Sequence, residues 1–234
     1  QGRGFMREIV LDTETTGLSP HEGHRLVEIG CLELFNHVAT GKVYHTYIDP
    51  EREMPDGAFQ VHGLSTEFLR GQPKFAEVVD DFLAFIGDDP LVIHNASFDM
   101  TFINWELENA GRAPLPRSRA IDTLEIARQR FPGAQNNLDA LCRRFGVDNS
   151  GRTKHGALLD SELLAEVYLE LMGGRQPGLV LHADFANGPG ARRVAREPRP
   201  VPLPSRLTDE EREAHQAFIA SLGGEPLWAL PGKE

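Results

Sequence analysis

The stretch VLDTETTGL, residues 10–18, sets two carboxylates, Asp12 and Glu14, one residue apart directly behind the apolar run EIVL. In an extended strand alternate side chains point the same way, so both acids share one face. Adjacent carboxylates repel, and such a pair either keeps a proton or binds a cation. Two solvated turn residues are the plain alternative. Against that stand the apolar strand ahead and the tight turn TTGL behind, because α/β sheets hold ligands beyond the carboxyl ends of their strands.

Two further stretches carry acids in places that need a reason. In VIHNASFDMTF (92–102), Asp99 falls in the first turn of a helix that follows a short buried strand. The helix dipole favours an acid there by only about 0.3–1 kcal/mol, and Asn95 is the better cap. In KHGALLDSELL (154–164), Asp160 interrupts an apolar stretch five residues after His155. His155 stands at the loop-to-helix junction, with Asp160 about one and a third turns into the helix, so both can face one cleft. Taken singly, a capping histidine and an exposed aspartate would account for them.

Four acids and one histidine together are more specific than any one of them. Oxygen ligands without cysteine or paired histidines suit Mg2+ or Mn2+ rather than zinc. Two such ions about 4 Å apart activate a water and stabilise a leaving oxygen in phosphodiester hydrolysis. The single histidine supplies a general base of a type that ordinarily titrates near neutrality.

These residues need elements to position them. Strands are expected at 7–13, 25–35 and 42–48, the second and third alternating in the manner of antiparallel strands. Short helices follow near 65–70 and 75–86. A brief strand at 90–95 leads into a helix at 97–110, and a second short strand runs into a helix at 123–130. Amphipathic helices at 136–146 and 155–174 close the series. A meander followed by strand–helix alternation implies an α/β sheet with helices on both faces.

At 234 residues, 40% of them hydrophobic, the chain affords one sizeable core and an appendage. The opening QGRGF reads as an N-terminal extension, residues 1–6 in all. No apolar run approaches the roughly 20 residues of a membrane span, and no signal-peptide pattern opens the chain. Cys31 and Cys142, without CxxC spacing, read as reduced thiols of a cytoplasmic protein. Residues 175–234 carry eight basic and eight acidic side chains, so the whole net charge of −11 falls in residues 1–174. An acidic domain does not grip nucleic acid by its own surface. Metal ions or a partner must offset the repulsion.

The texture breaks after residue 174. Residues 182–206 hold five prolines and five arginines and read as an extended linker. In the final segment, 207–234, Thr208 and Glu211 form a capping-box pattern. Ala214, Phe218, Ile219 and Leu222 recur at helical spacing until Gly223-Gly224, with Trp228 beyond. A helix this short is expected to dock on another protein.

VLDTETTGL, VIHNASFDMTF and HGALLD resemble the three exonuclease motifs of the DEDDh family, whose last motif is His-x4-Asp. The match runs through residues 7–174 in the family's order. It implies a ribonuclease-H-like fold, a mixed five-stranded sheet flanked by helices, then a flexible linker and a short C-terminal docking helix. Asp12, Glu14, Asp99 and Asp160 resemble the ligands of two catalytic cations, Mg2+ or Mn2+, and His155 resembles the base. Thr15, Leu18, Val61, His62 and Phe98 match regions that contact the terminal nucleotide, with Val61 or Leu18 as the wedge between the last bases and His62 at the terminal sugar.

Within that family EGHRLVEIG, DNSGRTKHGALLD and LAEVYLELMGG resemble the epsilon, proofreading subunits of bacterial DNA polymerase III. The resemblance implies 3′–5′ removal of mismatched nucleotides from the single-stranded 3′ end of a DNA primer, in the cytoplasm at the replicating nucleoid. QPGLVL within 175–181 resembles a sliding-clamp motif through Gln176, Leu179 and Leu181. The last segment resembles the anchor on the polymerase subunit, through Phe218, Leu222 and Trp228, and a small accessory subunit is a further implied partner. An RNA-trimming exonuclease of the same family would share every catalytic residue but would not need the linker and docking helix. A non-catalytic adaptor holding a structural ion is the reading of a different class.

Overall fold

The computed structural model describes residues 6–174 and 208–221. Its centre is β1 (Arg7–Thr15), which pairs antiparallel with β2 (Leu26–Phe35) on one side and parallel with β4 (Leu91–Ile93) on the other. Beyond β2 lies β3 (Val38–Tyr47), antiparallel, and beyond β4 lies β5 (Ala120–Asp122), parallel, giving the order β3-β2-β1-β4-β5. The expected mixed five-stranded sheet is thus present. Helices connect and cover it: α1 (Asp56–His62), α2 (Thr66–Leu69), α3 (Phe75–Ile86), α4 (Ala96–Asn109), α5 (Thr123–Arg130), α6 (Leu138–Phe145) and α7 (Ala157–Leu171).

Strand periodicity divides the core into two layers. Ile9 and Leu11 point to the side covered by α3 and α4, where they pack with Phe82, Ile86, Ile103 and Leu107. Val10 points to the other side and packs with Leu141, Leu164, Val167 and Tyr168 of α6 and α7. Each such side chain, taken fully out of water, contributes roughly 1.5–3 kcal/mol, so β1 is held firmly from both faces. Asp12 and Glu14 continue the alternation of Val10 toward the α7 side, while Thr13 continues that of Leu11 toward α4.

The structure departs from expectation at four places. β3 starts at Val38 rather than 42, because Asn36 and His37 both take positive φ (52° and 66°) and close a two-residue hairpin. No glycine marks that turn. Helix α1 had no counterpart in the sequence reading: it opens after Pro55 and contains Gly57, a residue that argues against helix. β2 was expected to alternate and is instead buried along nearly its whole length, since α7 covers one face and α4 approaches the other. Finally, Asn95 occupies the N-cap of α4 at φ 69° but makes no side-chain capping bond.

In the second compact part of the chain, α8 (Asp209–Ser221) opens with the expected capping box. The Glu211 amide donates to Thr208 Oγ1 (3.2 Å) and the Thr208 amide to Glu211 Oε2 (2.9 Å). Phe218 on this helix is 61% exposed. Gln176, Leu179, Leu181, the 182–206 stretch, Leu222 and Trp228 lie outside the described residues. Among the described residues no helix is long and apolar enough to cross a membrane.

Candidate active site

A cavity of about 790 Å³ opens at the carboxyl ends of β1 and β4, and Asp12, Glu14, Phe98, Asp99, His155 and Asp160 all line it. Three elements, β1, α4 and α7, and the loop just before α7 deliver them. β1 brings Asp12 and Glu14; a register shift between Glu14 and Thr15 ends its regular pairing with β2 beside the site, a common place for a bulge. Asp99 is the fourth residue of α4. Asp160 is the fourth residue of α7, and His155 lies just before that helix, its amide donating to the Val61 carbonyl at the end of α1 (3.2 Å).

Two features set these positions. Gly30 of β2 faces Asp12 across the ladder. A Cβ at Gly30 would stand 2.3 Å from the backbone of Ala157 and Leu158, and Ser161 Oγ donates to the Gly30 carbonyl (3.0 Å). The first turn of α7 therefore lies directly on β2. On the opposite face, Thr13 Oγ1 donates to Asp99 Oδ1 (2.7 Å), with both side chains buried. The start of α4 is fastened by Asp122 at the end of β5, whose carboxylate accepts from the amides of Asn95 and Ala96 (3.1 Å each) and also caps α5.

The acids do not titrate alike. Burial, reinforced by Asp160 and Glu28, pushes Glu14 up to about 8. Burial pushes Asp99 up to about 7 despite the hydrogen bond from Thr13. Asp12 is raised by burial and by Asp99 and Glu14 beside it. Asp160 is the exception: burial pushes its carboxyl up, but His155 and Arg152 outweigh that and hold it below the usual range. Glu14, His155 and Asp160 bring ligand atoms within 4.8 Å of one another. Buried, mutually repelling carboxylates around such a cluster fit a divalent cation.

Arg152 is the residue the sequence did not reveal. Its guanidinium donates from Nε to Asp160 Oδ1 (2.5 Å), from Nη2 to Asp160 Oδ2 (2.6 Å) and from Nη1 to Asp139 Oδ1 (2.8 Å). Nη2 also lies 2.7 Å from His155 Nδ1. The side chain is only 7% exposed. Within the polar loop DNSGRTKH it looks like any solvated cation; its place three residues ahead of His155 is the sole hint.

The residues expected at the terminal nucleotide are differently disposed. Leu18 is 84% exposed and Val61 46% exposed, both on the surface rather than in the core. Phe98 is half-buried on the cavity wall against Phe102, ring centroids 5.1 Å apart. Thr15 is buried, and its hydroxyl donates to the Gly17 carbonyl (2.6 Å). His62 is buried with Nδ1 accepting from the Leu64 amide (3.1 Å), and its Nε2 has no hydrogen-bond partner among the described residues.

The family described as Exonuclease matches residues 9–168. A DNA polymerase III subunit epsilon of Rickettsia felis is 51% identical over 222 residues, covering 93% of this chain and 97% of the relative. The chain belongs to the DNA polymerase III epsilon-subunit family. The epsilon subunit of Escherichia coli is 42% identical over 239 residues, 95% of this chain and 97% of its own length. Among solved structures, the nuclease domain of 3′hExo, a DEDDh family member bound to rAMP, superposes with a TM-score of 0.63 at 19% identity. The superposition covers 74% of this chain and 94% of that one, which fixes the fold. Epsilon subunits are proofreading 3′–5′ exonucleases, and the chain is an enzyme of that class. The DEDDh family as a whole works with two divalent metal ions.

Proposed function

We propose that this site hydrolyses the terminal phosphodiester at the frayed 3′ end of a primer, with Asp12, Glu14, Asp99 and Asp160 holding two Mg2+ or Mn2+ ions. When bound, the two ions supply an activated water and stabilise the leaving oxygen. The chain itself does the rest. His155, about half-exposed at the cavity rim with Nδ1 3.2 Å from Asp160, takes the proton of the attacking water on its other nitrogen. Phe98 offers a ring face to a terminal base, and exposed Leu18 or Val61 wedges it from its neighbour. His62 and Thr15, neighbours in the fold, are assigned to the terminal sugar and nucleotide. The observation that carries this reading is the convergence of four carboxylates and one histidine from β1, α4 and the start of α7 on one cavity.

An acidic exonuclease domain holds DNA weakly by itself, and a mismatched end unpairs at lower cost than a matched one. We assign α8, with exposed Phe218, together with Leu222 and Trp228, to the polymerase subunit. Gln176, Leu179 and Leu181 are assigned to a sliding clamp, with 182–206 as the tether between the two contacts. Tethering raises the local concentration of the site at the primer end without tight binding of its own. The same reading leaves room for a small accessory subunit and places the enzyme in the bacterial cytoplasm, at the nucleoid during replication.

A 5′-labelled primer–template with a mismatched 3′ end tests the assignment, run with Mg2+ and with EDTA beside a paired end and an RNA primer. Metal-dependent shortening, fastest on mismatched DNA and lost in Asp12→Ala and His155→Ala, is the expected result. Preference for the RNA primer would move the substrate to RNA, and either variant within a few-fold of wild type would overturn the residue roles.

A further inference from the structure

The guanidinium of Arg152 occupies Asp160, one of the carboxylates assigned to the metals, and touches His155, the assigned base. Of the three donors that lie within 4.8 Å of one another, Asp160 and His155 are both in hydrogen-bond contact with Arg152, and only Glu14 is not. A bidentate guanidinium–carboxylate pair is among the stronger polar contacts in proteins. Here it is buried on both sides, 7% and 3% exposed. A dication beside Asp160 would therefore meet a fixed positive charge at the same carboxylate.

His155 points the same way. Nδ1 faces two partners with opposite requirements. A guanidinium can only donate, so Arg152 demands a bare Nδ1 and leaves the proton of the neutral ring on Nε2. Asp160 Oδ2, 3.2 Å away, can only accept while ionised, so it demands Nδ1–H and frees Nε2 to receive a proton. The second arrangement suits a base acting through Nε2; the first does not. Arg152 also has another resting place, because Nη1 is paired with Asp139, whose side chain is 43% exposed at the cavity edge.

We propose that Arg152 is a built-in counter-cation of the metal-free site, which holds Asp160 and His155 in a resting arrangement and swings toward Asp139 when divalent metal enters. The inference rests on the metal-site reading above. In this arrangement the enzyme keeps its acidic cavity folded without metal, and loading requires the exchange of one cation for another at Asp160.

Mn2+ binding to the full chain, followed by calorimetry and by loss of the free-ion paramagnetic signal, tests this in Arg152→Gln, Asp139→Asn and Asp12→Asn. Arg152→Gln should melt lower than wild type without metal yet bind Mn2+ about tenfold more tightly, a difference of about 1.4 kcal/mol. Asp139→Asn alters the half-exposed anchor, which also accepts from Asn149 Nδ2 (2.9 Å), and reports even if Arg152→Gln folds poorly. It removes the waiting place for the displaced guanidinium, so Mn2+ should bind several-fold more weakly. Equal or weaker Mn2+ binding in Arg152→Gln would overturn the proposal, as would unchanged binding in Asp139→Asn. Mn2+ binding that Asp12→Asn leaves untouched would instead strike at the metal-site reading itself.

Discussion

Gly30 stands directly across the β1–β2 ladder from Asp12, and the backbone of α7 fills the space that a side chain at position 30 would take. The missing Cβ thus fixes how closely α7 lies on the sheet, and with it the separation of Asp160 from the β1 acids. Gly30→Ala should push α7 outward, because the clash is with backbone that no rotamer change relieves. Overpacking of this kind costs about 1–3 kcal/mol. Melting should fall by several degrees, at roughly 2–4 °C per kcal/mol. Displacing a ligand by about 1 Å can lower turnover about a hundredfold; single-turnover cleavage with a melting curve checks both.

Thr13 points to the opposite face from its neighbours and donates to Asp99. Thr13→Val keeps the shape and removes the hydroxyl donor, leaving the buried carboxylate with backbone donors alone. The loss should be about 1–3 kcal/mol, and Mn2+ affinity should fall with it, as calorimetry would show. Thr13→Ser should retain most of the affinity. Equal behaviour of Val and Ser variants would rule out the hydrogen bond as the reason for threonine there.

Asp122 ties the start of α4 to the end of β5 through two amides and caps α5 as well. It does not line the cavity. Asp122→Ala removes both caps at once, at about 0.5–2 kcal/mol each. Hydrogen exchange should quicken at the first turn of α4, which carries Asp99, and at the start of α5. Asp122→Asn should recover part of the protection at both helix ends.

Metal-free stability should fall as pH rises. Glu14 and Asp99 bind protons more tightly in the folded chain, at about 8 and about 7, than as free carboxyls. Groups raised on folding stabilise most below their unfolded values and lose that contribution as pH climbs through the folded ones. In EDTA the melting temperature should therefore drop between about pH 3.8 and about 8 from these two groups, and Glu14→Gln should flatten the slope. Adding Mg2+ should do the same, since a dication favours the ionised acids. Asp160, held low, acts with the opposite sign and only in acid.

Much of this protein is determined by sequence order alone. The apolar run before Asp12 makes β1 a central strand, and period-two geometry then puts Asp12 and Glu14 on one face. The apolar spacing of Phe75–Ile86 and Leu138–Phe145 sets α3 and α6, and the Thr208–Glu211 box starts α8. These are short-range effects, decided within a few residues by steric alternation, helical spacing and local capping. Tertiary structure decided what crosses the chain: the Gly30 seat for α7, the Thr13–Asp99 bond, the double cap at Asp122 and the grip of Arg152 on Asp160 and His155. Each depends on groups brought together from distant elements or around a loop, and their energy comes from burial and charge at that meeting point. An arginine in a polar loop, marked only by its nearness to His155, takes this role once the fold removes it from water.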